Sequence, residues 1–309
     1  MGFKNFDTVW EDAATRVMSH GESVESRVGL TREVLGLRSR LDDVSHNWLH
    51  NPGRALSAQY AAGELVWYLS GRGSGEQICA YAPSYKKYLV DGVAPGAYGP
   101  RIQDALGSVL FMLSRDGSRQ AVVPIIIAHD IVHAAKGVTP DVPCTLSLQF
   151  IRREGKLHLI TTMRSNDLWL GMPYDVWCFT TMQRMIAGAL HLECGFYQHQ
   201  VGSMHAYEKD YAKVTTALEF RTHADALDID FSFQNVDDMW DAVQRLVINE
   251  VNVRRGKSEP LYYGNRHIIT TLSHLCAVQH GYDDVVNLCE TVDPVLIMNH
   301  CPKLRSKLT

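Results

Sequence analysis

Nothing in this chain is long and apolar enough to cross a bilayer. Its most apolar run, Ala121 to Ala128, is far too short and is broken by Pro124. The opening stretch MGFKNFDTVWED has no apolar signal-peptide core. Gly2 follows Met1, but Phe6 stands where N-myristoylation requires Ser or Thr. No Cys-x-x-Cys pair occurs among the seven cysteines, which argues against a zinc knuckle, and the odd number argues against a complete disulfide framework. A formal net charge of −4 gives no global pull towards nucleic acid or anionic membrane. Internal repeats and low-complexity tracts are absent as well. The expectation is a cytoplasmic, metal-free globular protein with reduced thiols and no membrane partner.

What is present is ordinary core-forming material: 309 residues, 46% of them hydrophobic. Phe6, Val9, Trp10, Ala13 and Val17 recur at helical spacing over 6–19. A polar, Gly-containing stretch from Ser23 leads to a short strand near 33–41. A helix is predicted over 54–70, then a Gly-, Pro- and Tyr-rich loop over 71–100. Ile102, Leu106, Val109, Leu110 and Leu113 form another helical stripe. Pro124 marks its short apolar strand as an edge or a bulge. From Cys144 to Met163 the pattern alternates as a hairpin turning at Glu154-Gly155. An almost wholly apolar helix follows over 174–192, then a strand at FYQHQVG. Ile229, Phe231 and Phe233 alternate as a further strand, and the chain beyond 236 is helical. The class is α/β in the α+β sense, with residues 1–235 as the main domain and 236–309 as a helical extension packed on it.

Several groups could carry chemistry. Pro143-Cys144 sits where a loop hands over to the strand TLSLQF, a place that can present a thiol accurately; taken alone, such a cysteine is more often simply packed. Arg164 and Ser165, at a strand end, make a fork of donors plus a hydroxyl suited to a phosphate. Asp175 falls in the first turn of the apolar helix, where a carboxylate favours the helix and can also read a ligand. His205 and Tyr207 share a face of an extended strand and could hold a sugar hydroxyl. Singly, each has a bland structural reading.

Their order and spacing are another matter. Pro143-Cys144 with Gln149-Phe150, RSNDLWLGMPYD (164–175) and GSMHAY (202–207) resemble the thymidylate synthase family. GELVWYLSG (63–71) resembles the helix that bears the family's glutamate, here Glu64. AYGPR (97–101) resembles its Tyr-Gly segment, here Tyr98 and Arg101, and SRVGLT (26–31) its phosphate loop, with Arg27. The likeness runs from about residue 25 to 211. It implies a bent, mostly antiparallel sheet whose back forms a symmetric homodimer. It also implies that the partner lends an arginine to the phosphate. Here that residue is Arg119, and Gln120 departs from the two adjacent arginines expected.

The resemblance implies one-carbon transfer from 5,10-methylenetetrahydrofolate to C5 of a pyrimidine nucleoside monophosphate. Cys144 would add to C6, its thiolate favoured by the charge of Arg164. Glu64 and Tyr98 would handle protons through ordered water. Arg27, Arg164, Ser165 and the partner's arginine would grip the phosphate, His205 and Tyr207 the sugar, and Asp167, Leu170, Gly171 and Tyr81 the folate. Two departures carry information. Asp175 replaces the family's base-reading Asn, the mark of its cytidylate hydroxymethylase branch: a carboxyl can accept from N4–H of cytosine and, when protonated, donate to N3. No Trp lies between Trp67 and Trp169, where Tyr81, Tyr85 and Tyr88 stand instead. A wetter site favours water over hydride as the second reactant, giving a hydroxymethyl group and tetrahydrofolate. Length and the apolar Val176 beside Asp175 lean towards CMP over dCMP, and so towards an antibiotic rather than a modified-DNA pathway. The alternatives are C5 methylation of dCMP or dUMP, and an inactive member that binds nucleotide or RNA.

Overall fold

The computed structural model describes residues 2–298 except 116, 140, 221 and 223–224, so Cys301 and the end of the expected extension lie outside the described residues. The chain begins with α1 (Phe6–His20), opened by Asn5, whose side chain accepts the N–H of Thr8 at 2.9 Å. Next come β1 (Glu22–Ser26) and β2 (Gly29–Leu41), a hairpin rather than the single short strand expected. Its turn is closed by Ser26, whose hydroxyl donates to the Gly29 carbonyl, and Gly29 takes φ = +120°, open to glycine. Then follow α2 (Ala58–Leu69), α3 (Gly75–Tyr81), α4 (Tyr98–Leu113), β3 (Val122–Pro124) and α5 (Ala128–Ala135). α2 begins at 58 because Ser57 caps it, accepting from Tyr60 N–H at 3.1 Å.

β4 (Thr145–Arg153) and β5 (Lys156–Asp167) form the expected hairpin around Glu154-Gly155. α6 (Gly171–Ala189) crosses over to β6 (Glu193–Tyr207), which runs parallel to β5. α6 starts three positions earlier than the apolar pattern suggests. Asp167 Oδ1 collects the N–H groups of Trp169 and Leu170, at 2.8 and 3.2 Å, and turns the chain off β5 directly into the helix. α7 (Tyr211–Ala217), α8 (Val236–Arg254), α9 (Ile268–Gln279), α10 (Val285–Thr291) and α11 (Pro294–Met298) complete the described chain.

The six strands make one sheet in the order β1-β2-β6-β5-β4-β3, antiparallel throughout except for β5 with β6. Pro124 lies on the edge strand, where a missing N–H breaks no central ladder. α1 and α6 pack on the sheet, and α9 and α8 pack against α2. Ile229, Phe231 and Phe233 do not form a strand; their segment makes a single bridge, Asp230 to His267. It lies across α6 instead, so close at Gly188 that a Cβ there would stand 1.9 Å from the Phe231 carbonyl oxygen. Among the described residues, no helix is long and apolar enough to cross a membrane.

Candidate active site

A cleft of about 570 Å³ opens between the sheet, α2 and the start of α6. Cys144 stands at the mouth of β4. Arg164 opposite it is pinned by the carbonyls of Pro143 and Val142, both accepting at 2.9 Å. That leaves its Nη2 3.6 Å from Cys144 Sγ, with the Ser165 hydroxyl 3.8 Å from the same sulfur. The expected thiolate is not what this geometry favours at rest. Burial pushes the Cys144 thiol above its ordinary range, and Arg164 and Ser165 only partly oppose it.

Two carboxyls face the same space. Glu64 Oε1 accepts from Tyr60 and Tyr68 hydroxyls at 3.0 and 3.2 Å, yet burial pushes its pKa to about 7. Asp175 rises to about 8, through burial first and the nearby Glu64 charge second. Its Oδ2 accepts from Asn166 Nδ2 at 2.7 Å. Gly171 makes room for that bond, because a Cβ there would meet Asn166 Nδ2 at 2.8 Å. Tyr98 stacks on Tyr68 with ring centroids 5.0 Å apart, and its hydroxyl accepts from the Thr145 N–H. His205 and Tyr207 lie edge to face at 5.2 Å. Asp167, raised by burial, and the exposed Leu170 line the entrance.

Cys144, Glu64, Tyr98, Asp175, Arg27, Arg164, Ser165, His205, Tyr207, Asp167, Leu170 and Gly171 thus line one cleft. Two of the expected residues do not. Arg119 is exposed and does not line it. Tyr81 packs against Gly63, and its hydroxyl turns away to donate to Glu250 at 3.0 Å. Val176 also faces the core, so it says nothing about the sugar. Trp67 does line the cleft, although almost wholly covered, with Tyr85 edge-on at 5.5 Å. Indole is therefore present in the wall, and the tyrosine argument rests on Tyr85 and Tyr88 alone.

Sequence reasoning missed Tyr60, Tyr68, Asn166 and Asp141. Asp141 joins loop to wall by accepting from Gly96 N–H at 2.7 Å and Tyr85 OH at 3.1 Å. Its nearness to Cys144 in the sequence is the one signal that could have found it. Tyr60 and Tyr68 flank Glu64 at four residues on either side, a helical spacing that was legible. Among the described residues, no three His, Cys, Asp or Glu side chains cluster as a metal would need.

Fold and cleft define an α/β protein with a cysteine, an arginine and two half-buried carboxyls around one cleft. The chain belongs to the thymidylate synthase family, whose model matches residues 96–255. It is 27% identical over 230 residues to a deoxyuridylate hydroxymethyltransferase of Bacillus phage SP01, covering 68% of this chain and 60% of the relative. A deoxyuridylate hydroxymethyltransferase of Pseudomonas phage M6 is 30% identical over 161 residues, 49% of this chain and 45% of the relative. Thymidylate synthase 1 of Bacillus subtilis (strain 168) is 36% identical over 77 residues, 25% of this chain and 28% of the relative. The chain thus spans less than two thirds of the length of each.

Proposed function

We propose that this protein transfers a one-carbon unit from 5,10-methylenetetrahydrofolate to C5 of a cytidylate, CMP or dCMP, and adds water to give the 5-hydroxymethyl nucleotide. The observation that carries the reading is Asp175: a half-buried carboxyl in the cleft wall, hydrogen-bonded to Asn166, with a pKa pushed up to about 8, able near neutrality to offer both an acceptor and a donor to the cytosine edge. A proton donated to N3 also draws electrons from C6, where a sulfur nucleophile must add.

The residues divide the work as follows. Cys144 adds to C6 and makes C5 enolate-like; its proton has to leave first, and Arg164 favours the thiolate that results. Bound folate supplies carbon at the oxidation level of formaldehyde, and the Trp67–Tyr85 wall, Leu170 and Asp167 suit a flat ring with amide-like donors. Glu64, with Tyr60 and Tyr68 on its carboxyl, is placed to accept the C5 proton through water, its pKa near 7 matching that task. C5 attacks the folate-borne carbon, tetrahydrofolate leaves as the C5 proton is lost, and water adds to the resulting exocyclic methylene as Cys144 leaves C6. Arg27, Arg164 and Ser165 bind phosphate, and His205 and Tyr207 bind the sugar. A homodimer across the back of the sheet would bring the partner's copy of Arg119 to the phosphate, which accounts for its distance from the cleft of its own chain.

The names of the two phage relatives favour hydroxymethylation and, as a second reading, a uridylate base. Both points are tested by one anaerobic assay, with methylenetetrahydrofolate and CMP, dCMP, UMP or dUMP in parallel. Product mass and dihydrofolate absorbance are followed together. The expected result is a cytidylate carrying one added CH2O unit, with no dihydrofolate. A methyl product with dihydrofolate overturns the water step, and turnover of uridylates alone overturns the base assignment.

A further inference from the structure

Asp175 does not stand alone in the cleft wall. Tyr197 and His199 lie two residues apart on one buried face of β6. The Tyr197 hydroxyl and His199 Nδ1 are 2.7 Å apart, and His199 Nε2 is 2.9 Å from Asn166 Oδ1. Asn166 Nδ2 then donates to Asp175 Oδ2 at 2.7 Å. Four side chains thus run in file from the sheet interior to the cleft.

Such a file has a direction. Burial holds His199 neutral, its pKa depressed to about 3, so it carries a single N–H. With that N–H on Nε2, Tyr197 donates to Nδ1, His199 donates to the Asn166 carbonyl, and the amide donates to Asp175. The reverse order would require Asp175 to give its only proton to Asn166, leaving none for a substrate, and it fails entirely once Asp175 ionises. The first direction serves both ionisation states.

Direction matters because a neutral carboxyl is ambiguous. One oxygen accepts and the other donates, and exchanging the two converts a partner for cytosine into a partner for uracil. We propose that His199 and Asn166 are positioning residues that fix the hydrogen-bonding sense of Asp175. Oδ2 is held as an acceptor, Oδ1 carries the acid proton, and the site selects one pyrimidine over the other. On the reading above, the pyrimidine selected is cytosine.

The test is calorimetric binding of CMP and UMP, which needs no folate and no turnover. It uses the full chain and compares wild type, His199→Phe, His199→Gln and Asn166→Ala. His199→Phe keeps the ring shape but frees the Asn166 amide to turn. His199→Gln restores an N–H near the position of Nε2. The ratio of the two dissociation constants is expected to collapse by roughly tenfold or more in His199→Phe and Asn166→Ala, the loss of one discriminating hydrogen-bond pair. In His199→Gln it should stay within about threefold of wild type. Asn166→Ala, at the cleft, serves if the buried Phe variant does not fold. The inference is overturned if His199→Phe or Asn166→Ala weakens both nucleotides alike, or if His199→Gln loses discrimination as fully as His199→Phe. Wild type preferring UMP would sink the cytosine reading but not this inference, which is judged on the change in the ratio, whatever its direction.

Discussion

Cys144 illustrates how two effects of opposite sign compete at one atom. The Arg164 guanidinium is within 3.6 Å of its sulfur, which sequence order alone suggested, but burial outweighs it and the thiol's pKa rises. The resting protein should therefore alkylate slowly at neutral pH. Peptide-resolved iodoacetamide labelling should give a midpoint for Cys144 above that of a free thiol, about 8.5. Arg164→Ala should move the midpoint higher still, because the cation lowers it. Asp175→Asn should move it lower, because that carboxylate raises it. A midpoint below the free-thiol value would contradict the order of effects. Cys144, Arg164, Ser165 and Asp175 were legible because each stands at a fixed place in a chain-wide order. Asn166 and His199 were not: one occupies an unspecified position inside a motif, and the other reads as an ordinary strand residue. Their meaning appears only when β5 and β6 lie side by side.

At the scale of elements, the most informative contact is the start of α6 against the end of β5. Asp167 turns the chain there, and Gly171 lets the Asn166 amide reach Asp175. Gly171→Ala should force that amide aside, cost about 1–3 kcal/mol by overpacking, and weaken nucleotide binding beyond the loss of stability. An unchanged melting temperature and affinity would show the space to be unneeded. A second contact links the C-terminal helices to α2. Glu250 of α8 accepts from Tyr81, which packs on Gly63, next to Glu64 in α2. Glu250→Ala leaves the Tyr81 hydroxyl and Arg254 short of a partner and should destabilise by about 3 kcal/mol, with turnover per folded molecule little changed. A loss of turnover without a loss of stability would mean that these helices shape the cleft directly. The hairpin β4–β5 and the apolar α6 were readable because one has strict alternation and the other a continuous apolar surface. α3 was hidden in a stretch dense with Gly, Pro and Tyr, and only its cap at Ser74 announces it. The segment 229–233 alternates as a strand would, but no neighbouring strand is there to pair with it.

For the whole molecule, the raised carboxyls tie stability to pH. Glu64 and Asp175 have folded-state values near 7 and 8, above the ordinary values of 4.5 and 3.8, so the folded state holds their protons more tightly. Their contribution is complete below about pH 4 and is lost as pH rises through 7 to 8. The pair interacts, so the loss belongs to both together. The melting temperature of wild type should fall from pH 5 to pH 8 more steeply than that of Glu64→Gln or Asp175→Asn. Equal slopes in wild type and variants would contradict the raised values. The proposed dimer has a test of its own. Arg119→Ala and Cys144→Ser should each be nearly inactive, while an equimolar mixture refolded together should recover about a quarter of wild-type sites. No recovery would mean that Arg119 does not serve its partner.

Whether Asp175 reads cytosine is decided by kcat/KM for CMP, dCMP, UMP and dUMP in wild type and in Asp175→Asn. An asparagine amide offers the donor and acceptor that uracil needs. Wild type should favour a cytidylate and the variant should reverse the preference, with a swing of about a hundredfold or more in the ratio. A wild-type protein that prefers uridylates, or a variant that loses activity on both bases without a change in their ratio, would contradict that assignment.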